Sequence, residues 1–231
     1  ISVTNTPDVL TASTAEITIA LILAAARRIS EGETLIRAGL WSGWNPTQLL
    51  STGVTGKTLG LIGMGRIGQR DAEIAGHGLQ MGIQYFSRSK VSAKRLNGLK
   101  VSKVSLNRLL STSDFVSIHC EANEDTFGLI GERELNLMQS HSFLINTARG
   151  TIISEKALAE AVRNKTIAGA GLDVYENEPA VNPALQKESN ITLLPHMGSG
   201  TIETREAMGY KVFENLDAFF GGFTPPDLVT P

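Results

Sequence analysis

The chain is poor in cysteine and aromatics and has no excess of charge. Cys120 is the single cysteine among 231 residues, so neither an internal disulfide nor a cysteine-based metal cage can form. That usage suits a reducing cytoplasm. The 21 Lys plus Arg stand against 23 Asp plus Glu, a net charge of −2; with no basic surplus there is no broad pull toward phosphate backbones or anionic lipid, and no nucleic-acid partner is expected. Long apolar runs are missing too. The most apolar stretch is the ten residues 17–26, broken by Thr18, whereas a bilayer span takes about 20, so no membrane partner is expected. Arg27 and Arg28 follow this stretch rather than precede it, which is the wrong polarity for a signal peptide. A buried helix is expected instead, opened by the capping-box spacing Ser13-Thr-Ala-Glu16 and closed by the two arginines. His77, His119, His141 and His196 lie too far apart for a local metal motif. No Gly-x-Ser-x-Gly elbow exists for a serine hydrolase.

What the chain does hold is glycine, 23 residues, above the usual ~7%, which marks places where backbone must approach something closely. From Lys57 onward, short apolar runs expected as strands (58–62, 82–86, 115–119, 143–146, 168–173 and 191–194) alternate with helical stretches (66–79, 106–110, 132–139 and 155–165). Strands of continuous apolar character separated by helices predict a parallel sheet covered on both faces, the doubly wound α/β class. A last helix over 201–220 should stop at Gly221-Gly222. The chain opens at Ile1 on an extended 1–7 segment and closes on a loop-like 223–231 tail. Its start is expected to be an interior point of a longer chain.

Gly63-Met-Gly65-Arg-Ile-Gly68 follows the first expected strand and opens a helix. Gly63 permits the tight turn, Gly65 lets a pyrophosphate approach the backbone, and Gly68 lets helix and strand pack closely, with phosphate on the helix N-terminus. Gly56-Lys57-Thr58 imitates the end of a phosphate loop, but Ser51 stands where its first glycine belongs and the motif precedes the strand. At the end of the second strand, where NAD sites carry a carboxylate for the ribose 2′-hydroxyl, the chain reads Ser87, Arg88, Ser89 and Lys90. Hydroxyls and cations suit a 2′-phosphate, so NADP(H) is expected over NAD(H).

Three segments fall at or beyond expected strand ends: Asn146-Thr147-Ala-Arg149-Gly150, Gly171-Leu-Asp173-Val-Tyr-Glu-Asn-Glu178-Pro179 and Pro195-His196-Met-Gly198. Ligands of open α/β sheets bind there, so an arginine, a glutamate and a histidine could converge. Together with the glycine turn and with Asn5-Thr-Pro7, Gly39-Leu-Trp41 and Gly53-Val-Thr-Gly-Lys57, these segments resemble the D-isomer-specific 2-hydroxyacid dehydrogenases, in the glyoxylate and hydroxypyruvate reductase branch. The likeness runs over essentially the whole chain.

The resemblance implies a Rossmann-type fold and a hydride transfer from NADPH to a small 2-oxo acid. It gives Arg149 the substrate carboxylate or keto oxygen, His196 the proton donation and Glu178 the orientation of the imidazole in its protonated form. It assigns Arg66 and Ile67 to the pyrophosphate, Asp173 to the nicotinamide carboxamide, Gly198 and Ser199 to the turn beside that ring, and Thr147 to the cofactor site. Glu176 is a neighbouring carboxylate that could compete with Glu178 or merely be solvated. His119 reads as structural, Cys120 as a buried thiol. The chain departs from the family pattern at Glu121-Ala-Asn123, where Pro-Leu-Thr is usual, and at Arg70-Asp71, where small or apolar residues are commoner.

The resemblance also implies domain limits: a 1–7 linker, a dinucleotide-binding domain over 8–199, and over 200–231 the last helix and tail of a flavodoxin-like substrate domain whose body is absent. That helix should then expose Val212, Phe213, Leu216, Phe219 and Phe220. The region of Trp41 and Trp44 implies a homodimer arm. Three alternatives share these residues: another 2-oxo acid such as 3-phosphohydroxypyruvate or pyruvate, a dinucleotide-sensing protein of corepressor type, and a cofactor-binding fragment without turnover.

Overall fold

The computed structural model describes residues 1–91, 96 and 98–229. The last two residues of the expected tail, 230 and 231, lie outside the described residues. Seven strands form one all-parallel sheet in the order β3-β2-β1-β4-β5-β6-β7. These are β1 (Thr58–Ile62), β2 (Gly82–Phe86), β3 (Val101–Lys103), β4 (Phe115–Ile118), β5 (Phe143–Asn146), β6 (Gly169–Leu172) and β7 (Ile191–Leu193).

Side-chain alternation sorts each strand between two cores. Leu59, Leu61, Phe115, Phe143 and Ile145 join Leu21 and Ile22 of α1 (Thr11–Arg27) and Ala72 of α3 (Arg66–Glu73) on one face. Ile62, Val116, Ile118 and Leu144 face the other way, onto α4 (Leu106–Thr112), α5 (Glu132–Leu137) and α6 (Glu155–Arg163). Each such fully buried Leu or Ile contributes about 1.5–3 kcal/mol, so both faces must stay covered. Side-chain caps open the later helices: Ser105 accepts from Arg108 N, Ser154 from Ala157 N, Asn182 from Ala184 N on α7 (Pro183–Gln186), and Thr201 from Thr204 N on α8 (Ile202–Phe220).

Four expectations need correction. The first helix begins at Thr11, so Ser13 is inside it and caps nothing. Its hydroxyl donates to Leu10 O at 3.1 Å and accepts from Thr204 Oγ1 at 3.1 Å, which docks α8 on α1. The helix expected over 66–79 changes at Ile74–Gly78 into a π turn, where Gly76 and Gly78 weaken helix propensity. A further helix, α2 (Ile29–Arg37), was not expected; none of its residues is buried. β3 was not expected either, since only Val101 of its three residues is apolar.

The tail and the first residues run together. Val229 N donates to Val3 O at 2.8 Å and Asn5 N to Asp227 O at 3.3 Å, while Asp227 is held by Asn215 of α8. Val212, Phe213, Leu216, Phe219 and Phe220 of α8 are exposed. Among the described residues no helix is long and apolar enough to cross a membrane.

Candidate active site

The glycine turn sits between the carboxyl ends of three strands. Gly63 N donates to Phe86 O at 2.8 Å, and His119 N to Ile62 O at 2.7 Å, so the exit from β1 is clamped by β2 and β4. Gly63 has a φ of +98°, and a Cβ there would lie 2.5 Å from Cys120 N. At Gly68 a Cβ would meet Gly63 O at 2.5 Å. Gly65 is the opposite case: a Cβ would meet nothing within 4 Å, and the residue lines two adjoining cavities of about 920 and 430 Å³. Close packing behind and open space in front fit a pyrophosphate at the start of α3. Arg66 and Ile67 line the larger cavity, and Arg66 is paired with Asp8 at 2.7 Å. Lys57 of the false phosphate loop is at the opposite end of β1, 3.4 Å from Asp114.

Ser87, Arg88 and Ser89 follow β2 and line the smaller cavity; Arg88 and Ser89 are exposed. Ser87 Oγ donates to Ser89 O at 2.5 Å and closes this turn. Cys120 also lines that cavity. Burial pushes its thiol up, away from the thiolate that reactivity requires.

Beyond β5, Asn146 organises the arginine turn: its amide donates to Arg149 O at 2.9 Å while its side-chain oxygen accepts from Ala148 N at 3.0 Å. Gly150 is forced by close approach, because a Cβ would lie 1.9 Å from the Tyr175 carbonyl carbon. Arg149 is exposed and lines the larger cavity. Beyond β6, Glu178 Oε1 accepts from Tyr175 N at 3.0 Å and Oε2 stands 2.6 Å from His196 Nδ1. Burial would raise the Glu178 carboxyl, but the His196 bond, the Tyr175 amide and the charges of His196 and Arg149 hold it below its ordinary value. The three side chains thus share one electrostatic neighbourhood. His196 itself has a φ of +53°, an uncommon conformation for a residue with a side chain and one concentrated at functional sites.

Asp173 holds that conformation in place. Its carboxylate, 1% exposed, accepts from Met197 N and Gly198 N, each at 2.8 Å; burial raises it against those two amide bonds and the nearby His196. Ser199 follows, half-buried. Thr147, between Asn146 and the arginine turn, is buried, and its hydroxyl lies 3.0 Å from that of Thr18 in α1. Glu176 is spent on the start of α6, where it accepts from Glu155 N while Glu155 accepts from Glu176 N, both at 2.8 Å. Glu178 alone of the two meets the histidine. Neither Asn146 nor the loop-holding use of Asp173 could be singled out from spacing, although Asn146 stands inside a quoted motif. Among the described residues no group of three or more His, Cys, Asp or Glu could hold a metal ion.

A parallel seven-stranded sheet with a glycine turn at the end of its first strand defines a dinucleotide-binding α/β domain. Residues 19–198 match the family described as D-isomer specific 2-hydroxyacid dehydrogenase, NAD binding domain. The chain is 47% identical to the glyoxylate reductase of Thermococcus litoralis over 99% of its own length and 70% of that protein's. With the glyoxylate reductase of Aeropyrum pernix it shares 48% over 99% and 69%. The NADPH-dependent glyoxylate/hydroxypyruvate reductase of Sinorhizobium meliloti, solved with NADP and malonate, superposes with a TM-score of 0.91 at 36% identity, over 100% of this chain and 70% of that one. The chain belongs to the D-isomer-specific 2-hydroxyacid dehydrogenase family. It is an oxidoreductase of CH–OH donors that works with a nicotinamide dinucleotide.

Proposed function

We propose that the protein reduces a small 2-oxo acid, glyoxylate or hydroxypyruvate, to the 2-hydroxy acid, with NADPH preferred over NADH. The observation that carries this reading is the 2.6 Å contact between His196 Nδ1 and Glu178 Oε2 at the carboxyl edge of the sheet, in the field of Arg149. A carboxylate can only accept, so Nδ1 carries the hydrogen of that bond and Nε2 is left to face a ligand. Arg149 binds the acid's carboxylate or keto oxygen through its guanidinium and draws electron density from the carbonyl. His196 delivers the proton from Nε2 to the oxygen that becomes the hydroxyl, and Glu178 stabilises the imidazole while it is charged. When bound, the reduced nicotinamide supplies the hydride to the carbonyl carbon. Gly63, Gly65, Arg66, Ile67 and Gly68 hold the pyrophosphate, Ser87, Arg88 and Ser89 the 2′-phosphate, and Gly198 and Ser199 the ring-side turn.

The names of the archaeal relatives support glyoxylate, and the dependence named for the Sinorhizobium reductase supports NADPH. So does the absence of a carboxylate between Phe86 and Lys90. We also propose that α8 and its tail belong to a second, substrate-binding unit, since α8 presents an exposed apolar face, and that exposed Trp41 and Trp44 lie on a homodimer arm. The test is NADPH and NADH oxidation with glyoxylate, hydroxypyruvate, pyruvate and 3-phosphohydroxypyruvate, run on this chain and on one extended at its N-terminus. The reading expects the first two acids and NADPH to give the highest kcat/KM; a preference for NADH or for the other acids overturns it.

A further inference from the structure

The turn that carries Arg88 is tied from outside by a residue of the edge strand. Lys103 Nζ donates to Arg88 O at 3.0 Å. The parallel register sets Lys103 level with Tyr85, and Val104 N donates to Tyr85 O at 2.9 Å, so strand pairing fixes the root of the lysine beside the end of β2. Tyr85 in turn accepts from Val91 N at 3.2 Å through its hydroxyl. The turn is therefore held at its centre by Lys103 and just past its end by Tyr85. Lys103 also lines, with Tyr85, Lys90 and Val91, a cavity of about 630 Å³ that shares Lys90 and Val91 with the larger cleft.

A lysine on an edge strand is ordinarily explained by discouraging that edge from pairing with another chain. That role does not call for a bond to the Arg88 carbonyl. We infer that Lys103 is a selectivity residue for the 2′-phosphate: it fixes the Arg88 peptide, and with it the place from which the guanidinium cation reaches that seat. NADPH carries a phosphate dianion there and NADH a neutral hydroxyl, so a cation at this place acts on one cofactor far more than on the other. Lys103 acts through Arg88 and is a positioning residue. The inference rests on the reading of Ser87, Arg88 and Ser89 as the 2′-phosphate seat.

The test is titration of wild type, Arg88→Ala, Lys103→Met and Lys103→Arg with NADPH and with NADH, read as Kd by fluorescence. Lys103→Met is expected to weaken NADPH about three- to tenfold and to narrow the NADPH-to-NADH ratio by the same factor, as removal of an exposed charge contact does. Lys103→Arg, which keeps charge and donor, should restore most of the ratio. If Arg88→Ala collapses the ratio while Lys103→Met leaves it intact or weakens both cofactors equally, the inference is overturned and the reading of the turn stands. If wild type shows no NADPH preference, both fall.

Discussion

Asp71 and His119 face each other in the core behind the glycine turn, with His119 Nε2 3.3 Å from Asp71 Oδ2 and both side chains sealed from solvent. No described residue donates a hydrogen bond to either Asp71 oxygen, while Ser117 Oγ lies 2.8 Å from His119 Nε2. The spacing would allow an ion pair, but burial outweighs the attraction. It pushes the Asp71 carboxyl well above its ordinary range and the His119 imidazole down to about 3, so each is driven toward its uncharged form.

Their effects on stability have opposite signs. Below its ordinary 6.5, His119 takes a proton in the unfolded chain that it refuses when folded, so stability falls as pH drops toward about 3. Above its ordinary 3.8, folded Asp71 retains a proton that the unfolded chain has released, so stability falls as pH rises. Asp71→Asn removes the second slope. Relative to wild type its Tm should therefore compare more favourably at about pH 8 than at about pH 5. Thermal melts at the two pH values check this, and a variant that compares less favourably at the higher pH would show that the pair is net stabilising as ions.

Glu178→Gln keeps the size of the side chain and an acceptor for Tyr175 N but loses the charge facing His196. The expected result is a kcat lower by about 10²-fold or more with cofactor Kd little changed. Because the wild-type carboxyl is held below its ordinary 4.5, it stays ionised through mild acid, and any acidic limb that it causes should fall below that value. The kcat profile against pH reads both effects; an unchanged kcat would detach Glu178 from the chemistry.

Gly150→Ala tests the packing that places the arginine turn. The added methyl would meet backbone, the Tyr175 carbonyl, which cannot swing aside as a side-chain end can. A destabilisation of about 1–3 kcal/mol is expected, together with a higher KM for the oxo acid as Arg149 is displaced. Melting and initial-rate measurements on one preparation decide it, and a variant with wild-type Tm and KM would show that the two loops separate freely.

What could be read in the chain beforehand follows burial and locality. The strands with continuous apolar runs and the glycine turn were legible because their signal lies in consecutive residues. α2 and β3 were not, since one buries no residue and the other is a short edge strand with one apolar side chain. Glu176 and Glu178 precede the same proline, and only the path of the loop decides that one caps α6 while the other reaches His196. Asp71 stood out as an odd residue in its helix, but its partner, at the end of a different strand, is set by the sheet. Lys103 depends wholly on the register of β3 against β2.

The central claim is that His196 donates the proton in a 2-oxo acid reduction. It is tested most directly by single-turnover and steady-state NADPH oxidation with glyoxylate, comparing wild type with His196→Ala. The account predicts a kcat reduced about 10²-fold or more, with NADPH Kd close to wild type. A His196→Ala variant that retained the wild-type kcat would contradict it.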